Sequence, residues 1–312
     1  MARSFLPTCL AVFLLAGSAA AAAPTMPAFA VEQIADGVFV HQGLQAEADD
    51  RNHGDIGNLG FVIGDDCVAV IDTGGSPSVG RALRRAIEVR TSLPVCYVIN
   101  THMHPDHIFG NAAFADTGAR FVAAAGFTQA LAARRTTYLE RAERTLGVAT
   151  NDGWLVMPGD TVVERMRIDL GGRYLALTAW ADAHTDNDLT VVDESSRTLF
   201  TGDLLFIDRV PAIDASVTGW LDAIESLAQH AADIAHVVPG HGPVGEQLNA
   251  MLAPQTRYLK AIRDQVRSAI DEGYGLAYTT AHVARAERDR WLLFDDYHAR
   301  NVTAAYTELE WQ

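Results

Sequence analysis

Residues 100–110 (NTHMHPDHIFG) hold three histidines and an aspartate within six positions: His102, His104, Asp106 and His107. Imidazole nitrogens and carboxylate oxygens are ligands that suit Zn²⁺. In a loop that leaves a strand, His102 and His104 can point to one side while Asp106 and His107 turn toward a second position. With eleven histidines in 312 residues, such a cluster is improbable by chance. The spacing therefore predicts a loop that supplies ligands to two adjacent metal ions.

Three later segments supply further candidate ligands. His184 lies in WADAHT, Asp203 ends FTGD, and His241 lies in VPGHGP. Alone, a histidine or aspartate at the end of a strand more often caps a turn than binds a metal. Here all three follow the histidine cluster in chain order, each at the carboxyl end of a predicted strand. Together they predict one shared metal site.

The elements that must position these residues are predicted from hydrophobic periodicity. Short apolar or alternating runs predict strands at 37–42, 58–63, 68–72, 95–99, 120–124, 161–163, 166–170, 174–179, 189–192, 198–201 and 236–238. Helical spacing predicts helices at 76–90, 126–146 and 218–230, and from 247 almost to the end of the chain. Two sheets covered by helices on their outer faces would bury this pattern well.

Composition limits the partners of the protein. The 24 basic and 39 acidic residues give a formal charge of −15, which argues against a nucleic acid or an anionic membrane surface as partner. A small-molecule substrate is expected instead. Apolar residues make up 49% of the chain, which suits one large domain with an extension, or two small domains.

The first 23 residues have the pattern of an export signal. Arg3 forms a short basic region, residues 5–15 are apolar, and the alanines at 19–23 offer cleavage sites. An uncleaved anchor is the alternative, but the alanine-rich end and the following Pro24 favour cleavage. We therefore expect a periplasmic or secreted protein, and no later segment is apolar enough to span a bilayer. Cys67 and Cys96 would then meet an oxidising compartment, as either a disulfide or two buried thiols.

These motifs resemble those of the metallo-β-lactamase-fold superfamily. The similarity covers roughly residues 35–245 and includes IDTG at 71–74, THMHPDH at 101–107, AHT at 183–185, TGD at 201–203 and PGHG at 239–242. The resemblance implies a four-layer αββα sandwich with the metals at one edge between the sheets. We accordingly expect a signal peptide (1–23), a hydrolase domain (24–246) and a C-terminal helical extension (247–312).

Carried over residue by residue, the resemblance implies two metal ions with Asp203 bridging them. The ligands of metal 1 would be His102, His104 and His184. The ligands of metal 2 would be Asp106, His107 and His241. Asp72 either supports the histidine loop by hydrogen bonds or caps the turn before Ser76.

The implied reaction is hydrolysis of an ester, thioester, lactone or amide by a metal-bridging hydroxide. Two Zn²⁺ are the expected cofactors, although iron and manganese accept the same ligands. Asp106 is the candidate catalytic residue, because its carboxylate can hold a proton of the hydroxide and pass it on. Asp203 resembles the corresponding residue of glyoxalase II and lactonases, whereas β-lactamases proper have other residues there. A weak β-lactamase is kept as an alternative.

The stretch from Cys67 to Phe114 more narrowly resembles exported zinc hydrolases found beside quinoprotein dehydrogenase and thiosulfate-oxidation systems. This resemblance implies a functional link to a quinoprotein dehydrogenase system. It also keeps open a mononuclear iron persulfide dioxygenase, which shares the HxHxDH and TGD motifs. The glycine–arginine–aspartate–phenylalanine stretch typical of that family is missing from LLFIDRVPAID at 204–214, which counts against it.

Overall fold

Buried strands sort their side chains between two apolar layers. The computed structural model describes residue 1 and residues 26–312. In β4 (Val68–Ile71), Val68 and Val70 share an apolar cluster with residues of α1 (Pro77–Glu88). Ala69 and Ile71 belong instead to the cluster shared with the second sheet. Because successive side chains point to opposite faces, a fully buried strand must be covered by a helix on one face and by a sheet on the other.

In the described part of the chain, twelve strands form two sheets. The first sheet contains, in spatial and chain order, β1 (Glu32–Ala35), β2 (Val38–His41), β3 (Leu59–Ile63), β4, β5 (Val95–Ile99), β6 (Arg120–Ala124) and β7 (Asp160–Val162). The second sheet, in the order β12-β11-β10-β9-β8, contains β8 (Arg165–Asp169), β9 (Tyr174–Trp180), β10 (Asp188–Asp193), β11 (Thr198–Phe206) and β12 (His236–His241). Strands β4 to β7 pair in parallel, as do β11 and β12.

Helices cover the outer faces of both sheets. They are α1, α2 (Pro105–Ile108), α3 (Phe127–Leu146), α4 (Val217–Gln229), α5 (Leu248–Asp271), α6 (Leu276–His282) and α7 (Phe294–Leu309), with 3₁₀ turns at Phe109–Ala113, Asp152–Trp154, Ala231–Asp233 and Arg285–Arg290. Leu205 of β11 shares one apolar cluster with Trp220 of α4, Tyr258 of α5 and Val302 of α7. The predicted four-layer αββα sandwich with C-terminal helices is confirmed.

Three strands differ from the prediction by three or more residues. β1 was not predicted, and β12 continues through His241 instead of ending at Val238. β11 continues to Phe206 instead of ending at Thr201, so Asp203 lies inside a strand. The pairing of β11 with β12 is irregular around Gly202, whose φ of +51° and contact with Thr101 would crowd a larger side chain. The irregularity turns Asp203 into the cleft, and the buried residues that follow it extend the strand.

Two further predictions concern the export signal and the two cysteines that follow it. Residues 2–25, which hold nearly all of the predicted signal, lie outside the described residues. Among the helices that are described, none combines the length and apolar character that crossing a membrane requires. Cys67 and Cys96 lie at the starts of the adjacent parallel strands β4 and β5, and both are free thiols in the structure.

Candidate metal centre

The histidine loop lies between β5 and α2 and is held at both ends. Asn100 and Asn111 exchange side-chain hydrogen bonds of 3.1 and 2.7 Å across the loop. Asp72 accepts hydrogen bonds from the backbone nitrogen and the hydroxyl of Thr101, at 2.8 and 2.7 Å. Asp72 therefore supports the loop, whereas α1 is capped by Ser76. These contacts fix the backbone before any metal binds.

Four of the predicted ligands form the first group: His102, His104, His184 and Asp203 each offer an atom within 4.8 Å of the others. One nitrogen of each imidazole is anchored away from the centre. Nδ1 of His102 lies 3.0 Å from the Thr101 hydroxyl, and Nδ1 of His184 lies 2.6 Å from the carbonyl of Ala212. His104 presents the opposite nitrogen, because its Nδ1 faces His184 Nε2 at 3.0 Å. Such anchoring selects the tautomer and leaves a lone pair for a metal.

The other three predicted ligands form the second group: Asp106, His107 and His241, again with ligand atoms within 4.8 Å. Nδ1 of His107 donates to Oδ2 of Asp72 at 2.8 Å, since a carboxylate can only accept. Nδ1 of His241 donates to the carbonyl of Ile56 at 2.7 Å. Both rings thereby direct Nε2 toward Asp106, whose Oδ2 lies 3.6 Å from Nε2 of His107 and 3.3 Å from Nε2 of His241.

Asp203 joins the two groups. Its Oδ2 lies 3.7 Å from His102 Nε2 and 3.5 Å from His184 Nε2 in the first group. Its Oδ1 lies 3.2 Å from His107 Nε2, and its Oδ2 lies 3.4 Å from His241 Nε2, in the second group. The side chain is only 4% exposed. A buried carboxylate between two sets of imidazoles is placed to contact two ions at once.

The protein atoms present do not satisfy this centre. Among the described residues, Nε2 of His102, Nε2 of His107 and Oδ1 of Asp203 are buried without a hydrogen-bond partner. An unsatisfied buried polar atom is costly and therefore rare in folded proteins. All three atoms converge on the space between the two groups. The residues thus fit a pair of metal ions, and the set of nitrogen and oxygen donors suits zinc.

Burial sets the protonation of the imidazoles in the first group. It lowers the pKa of His184 to about 4, and burial with the nearby His107 holds the pKa of His102 well below its ordinary value. Both rings are therefore neutral near pH 7, which is the form that binds a metal. Burial raises the pKa of Asp106, but His107 and His241 outweigh it and hold that pKa below its usual range. Asp106 is thus ionised.

Asp214 anchors His104 and was not among the residues predicted from the sequence. The Oδ2 atom of Asp214 lies 3.2 Å from Nε2 of His104. The hydrogen bond from the His104 side chain favours the ionised carboxylate and lowers the pKa of Asp214 to about 2. The aspartate lies 110 positions from His104 in a loop that carries no motif. Asp214 lies three residues after Pro211 in the segment that follows the TGD motif, and no pattern in the sequence indicates that it would contact a metal ligand.

A cavity of about 790 Å³ opens above the metal centre, a size suited to a small molecule. Its floor includes His104, Asp106, Asp203 and His241, and its walls come from α3, from α7 and from the loops around residues 47–56 and 209–214. The helical extension therefore lines the site. Phe206 is one of the wall residues and stacks on His241 with ring centroids 5.0 Å apart.

Arg209 is buried at the side of the cavity near His241. Its guanidinium donates to Oε1 of Glu47 at 3.1 Å and to the hydroxyl of Tyr297 at 2.9 Å. The Tyr297 hydroxyl in turn donates to the same Glu47 oxygen at 2.5 Å. Arg209 is thus paired with Glu47.

Other side chains of the loops and turns nearby fall outside the centre. Asp188 accepts hydrogen bonds from the Thr185 nitrogen and hydroxyl at 2.8 and 2.7 Å, which holds the loop that carries His184. Trp154 packs edge-on against Phe109 below the cavity wall. Asp55 pairs with His41 at 2.8 Å and does not line the cavity.

Comparison with known families decides the affiliation. The sequence model of the Metallo-beta-lactamase superfamily matches residues 54–241 of the chain. The chain belongs to this superfamily. The match begins before the histidine loop and ends at His241, and so includes all seven predicted ligands.

Solved structures of superfamily proteins share the fold at low identity. The stereoselective inverting sec-alkylsulfatase Pisa1 from Pseudomonas sp. matches 89% of this chain with a TM-score of 0.70 and 18% identity, and the chain spans 50% of that protein. A metallo-beta-lactamase from Pontibacter korlensis matches 74% of this chain and 98% of its own length, with a TM-score of 0.60 and 22% identity. DIM-1 metallo-beta-lactamase matches 75% of this chain and 98% of its own, with a TM-score of 0.59 and 17% identity.

Proposed function

We propose that the protein is a dinuclear metallohydrolase that cleaves an ester, thioester, lactone or amide. The observation that carries the proposal is the position of Asp203 between two sets of anchored imidazoles, where Nε2 of His102, Nε2 of His107 and Oδ1 of Asp203 are buried without a protein hydrogen-bond partner. His102, His104 and His184 would hold one ion, and Asp106, His107 and His241 the other. When bound, the two ions would polarise the scissile carbonyl and lower the pKa of a water. Zinc is the proposed metal, since the donors are imidazole nitrogens and carboxylate oxygens.

The protein's own residues supply the remaining parts of the chemistry. Asp106 is ionised and lines the cavity, so its carboxylate can accept a hydrogen bond from the attacking water, orient it and pass a proton on toward the leaving group. Asp72 holds the His107 ring and the Thr101 hydroxyl in one orientation, and Asp214 does the same for the His104 ring. Phe206 stacks on the ring of His241 and presents an apolar surface beside it.

Metal analysis tests the proposal together with activity. The purified full chain is analysed by elemental mass spectrometry and assayed with para-nitrophenyl esters and a thioester. Close to two zinc ions per chain, with hydrolysis that His104→Ala abolishes, is the expected result. One iron per chain with oxygen consumption on glutathione persulfide would instead establish the dioxygenase. Nitrocefin in the same assay measures any weak β-lactamase activity.

Hydrolysis of a sulfate ester is a second candidate, favoured by the extent of one structural match. A match over 89% of 312 residues must include part of residues 247–312, and it is found with a sec-alkylsulfatase. Part of the helical extension thus has a counterpart in that protein. Release of inorganic sulfate from sec-octyl sulfate, measured by ion chromatography, tests this candidate. No release from the zinc-loaded protein would remove it.

Export and a link to a quinoprotein dehydrogenase system are also proposed, on the sequence alone. Export rests on the basic, apolar and alanine-rich order of residues 1–23. The link rests on the resemblance of residues 67–114 to exported zinc hydrolases of such systems. Fractionation of the expressing cells, with the mature N-terminus read by mass spectrometry, tests export. Retention of residues 1–23 in a cytoplasmic fraction would contradict it.

A further inference from the structure

Two arginines at the cavity lack acidic partners, although the chain is strongly acidic. Arg141 of α3 and Arg300 of α7 both line the cavity. Within residues 26–312, neither guanidinium lies within 4.0 Å of a carboxylate oxygen. The other two arginines that line the cavity are paired, Arg134 with Asp214 and Arg209 with Glu47. The cavity thus exposes uncompensated positive charge.

The other charged side chains of the cavity do not neutralise this pair. Glu47 already binds Arg209 and Tyr297, and Asp214 lies between His104 and Arg134. Asp106 and Asp203 belong to the metal centre, where bound cations would offset them. Two positive charges are therefore left over once metal ions offset the carboxylates of Asp106 and Asp203.

The position of Arg300 is supported by its neighbours. Its guanidinium carbon lies 5.7 Å from the centroid of the Tyr297 ring, and the Tyr297 hydroxyl is tied to Glu47 and Arg209. A guanidinium over an aromatic face is held in place without losing its hydrogen-bond donors. Arg300 is therefore available to a ligand that enters the cavity.

Much of the cavity wall is apolar. Its apolar residues include Ile56, Phe109, Leu146, Phe206 and Ile213. An apolar wall favours a hydrocarbon portion of the substrate, and guanidinium groups bind carboxylate or a similar oxyanion in a bidentate way. The two kinds of surface lie in one continuous cavity of about 790 Å³.

We propose that the substrate is an amphiphilic anion, with an apolar chain along these walls and a terminal carboxylate or related oxyanion bound by Arg141 and Arg300. The proposal rests on the proposed hydrolase function, because it places the scissile bond at the metal centre. It adds a subsite formed jointly by α3 and the C-terminal helix α7. These two residues determine specificity and are not part of the bond-breaking machinery.

Matched substrates test the subsite. Mono-para-nitrophenyl esters of adipate and suberate carry the terminal charge, and para-nitrophenyl esters of hexanoate and octanoate have the same chain lengths without it. The zinc-loaded full chain should prefer a charged ester. Arg141→Ala/Arg300→Ala should lower kcat/KM for that ester by about tenfold or more, the usual effect of losing a charge-assisted hydrogen bond. For the neutral ester, kcat/KM should change less than about twofold.

Two further variants control for other causes. Arg144 is an exposed arginine on α3 that pairs with Glu140 and does not line the cavity. Arg144→Ala should therefore leave kcat/KM unchanged for both esters. Arg141→Lys/Arg300→Lys keeps both charges and should retain most of the preference for the charged ester. A charged-to-neutral ratio that is the same in the wild type and the double alanine variant overturns the proposal.

A binding measurement separates the failure of this proposal from that of the hydrolase function. Isothermal titration calorimetry with adipate and with its uncharged diamide, adipamide, needs no turnover. If no ester is cleaved, the hydrolase function fails. Adipate binding that weakens about tenfold or more in the double alanine variant, with adipamide binding unchanged, still supports the anion subsite. Adipate binding that is absent or equal in both proteins overturns the subsite.

Discussion

Oδ2 of Asp214 lies 3.2 Å from Nε2 of His104, and this contact leaves Nδ1 of the same ring facing His184 in the first ligand group. The two residues come from loops on different sheets, one after β5 and the other after β11. The carboxylate thus determines which nitrogen His104 can offer to a metal. Several consequences for metal binding can be measured.

Replacing Asp214 should weaken the first metal site. Without the carboxylate, the His104 ring loses the partner that orients it, and such partners typically affect metal affinity by about ten- to a hundredfold. We expect Asp214→Ala to lower the affinity for one zinc ion by that factor, measured by competition with a chromophoric chelator. Asp222→Ala, an exposed aspartate on α4, is the control and should bind both ions normally.

Replacing Asp72 should affect the second site instead. Asp72 accepts from both His107 and Thr101, and in Asp72→Asn an amide NH₂ group would face one of these donors. Affinity for the ion held by His107 should fall about ten- to a hundredfold, in the same competition assay. Equal affinities in Asp72→Asn and the wild type would mean that the hydrogen bond to His107 has no role in metal binding.

Removing the metals should lower the stability of the fold. The centre leaves three buried polar atoms without protein partners, so ions that satisfy them bind the folded state alone. At a free zinc concentration of about 1,000 times Kd, binding one ion stabilises by about 4 kcal/mol. We expect Tm to fall when zinc is chelated and to recover when zinc is returned. In Asp203→Asn the zinc-dependent gain should be much smaller, because both sites share that carboxylate.

Asn301 should couple the helical extension to the metal centre. Its side chain donates to the Pro211 carbonyl at 2.6 Å and accepts from the Ile213 nitrogen at 2.9 Å. That segment also carries Asp214 and the Ala212 carbonyl that anchors His184. Asn301→Ala leaves these buried groups unsatisfied and should cost about 1–3 kcal/mol in urea unfolding.

The coupling itself requires a second measurement on this variant. Affinity for the zinc ion of the first group should fall in Asn301→Ala, while the exposed Asp296→Asn on the same helix should change neither stability nor affinity. Loss of stability with unaltered zinc affinity would show that Asn301 acts on the fold alone.

Arg173 should contribute strongly to the packing of the two sheets. It donates to Oδ1 and Oδ2 of Asp193 at 2.8 and 2.7 Å, and to the carbonyl of Ile63 at the end of β3 at 3.1 Å. Both partners of the ion pair are largely buried, at 13% and 0% side-chain exposure. Arg173→Ala leaves the Asp193 carboxylate unpaired and should destabilise by about 3–5 kcal/mol in urea unfolding.

The same pair predicts a dependence of stability on pH. Burial raises the pKa of Asp193, but hydrogen bonds from Arg173 and Ser196 outweigh burial and hold that pKa below its ordinary value of 3.8. Because the folded state has the lower pKa, the contribution is fully present above pH 3.8 and is lost as pH falls through the folded value. The stability difference between zinc-free wild type and Asp193→Asn should therefore shrink on acidification. A difference that grows at low pH would contradict this sign.

The predicted ligands could be identified from the sequence because their signal is local. His102, His104, Asp106 and His107 lie in one loop, and their types and spacing already indicate metal binding. The alternation of buried residues in strands such as Val68–Ile71 likewise reflects the two layers that cover each strand. The carboxyl ends of parallel strands meet at one edge, so the later ligands could be placed beside the first.

The residues that only tertiary structure places carry no local signal. Glu47 and Tyr297 are 250 positions apart, and their hydrogen bond exists because α7 packs against the second sheet. Asp214, Asn301 and the unpaired Arg141 and Arg300 are ordinary surface residues by type and spacing. The sequence determined the chemistry of the centre and the layers that hold it, because both depend on short-range patterns. The folded chain decided what orients the ligands and lines the cavity, because those contacts arise from packing between distant segments.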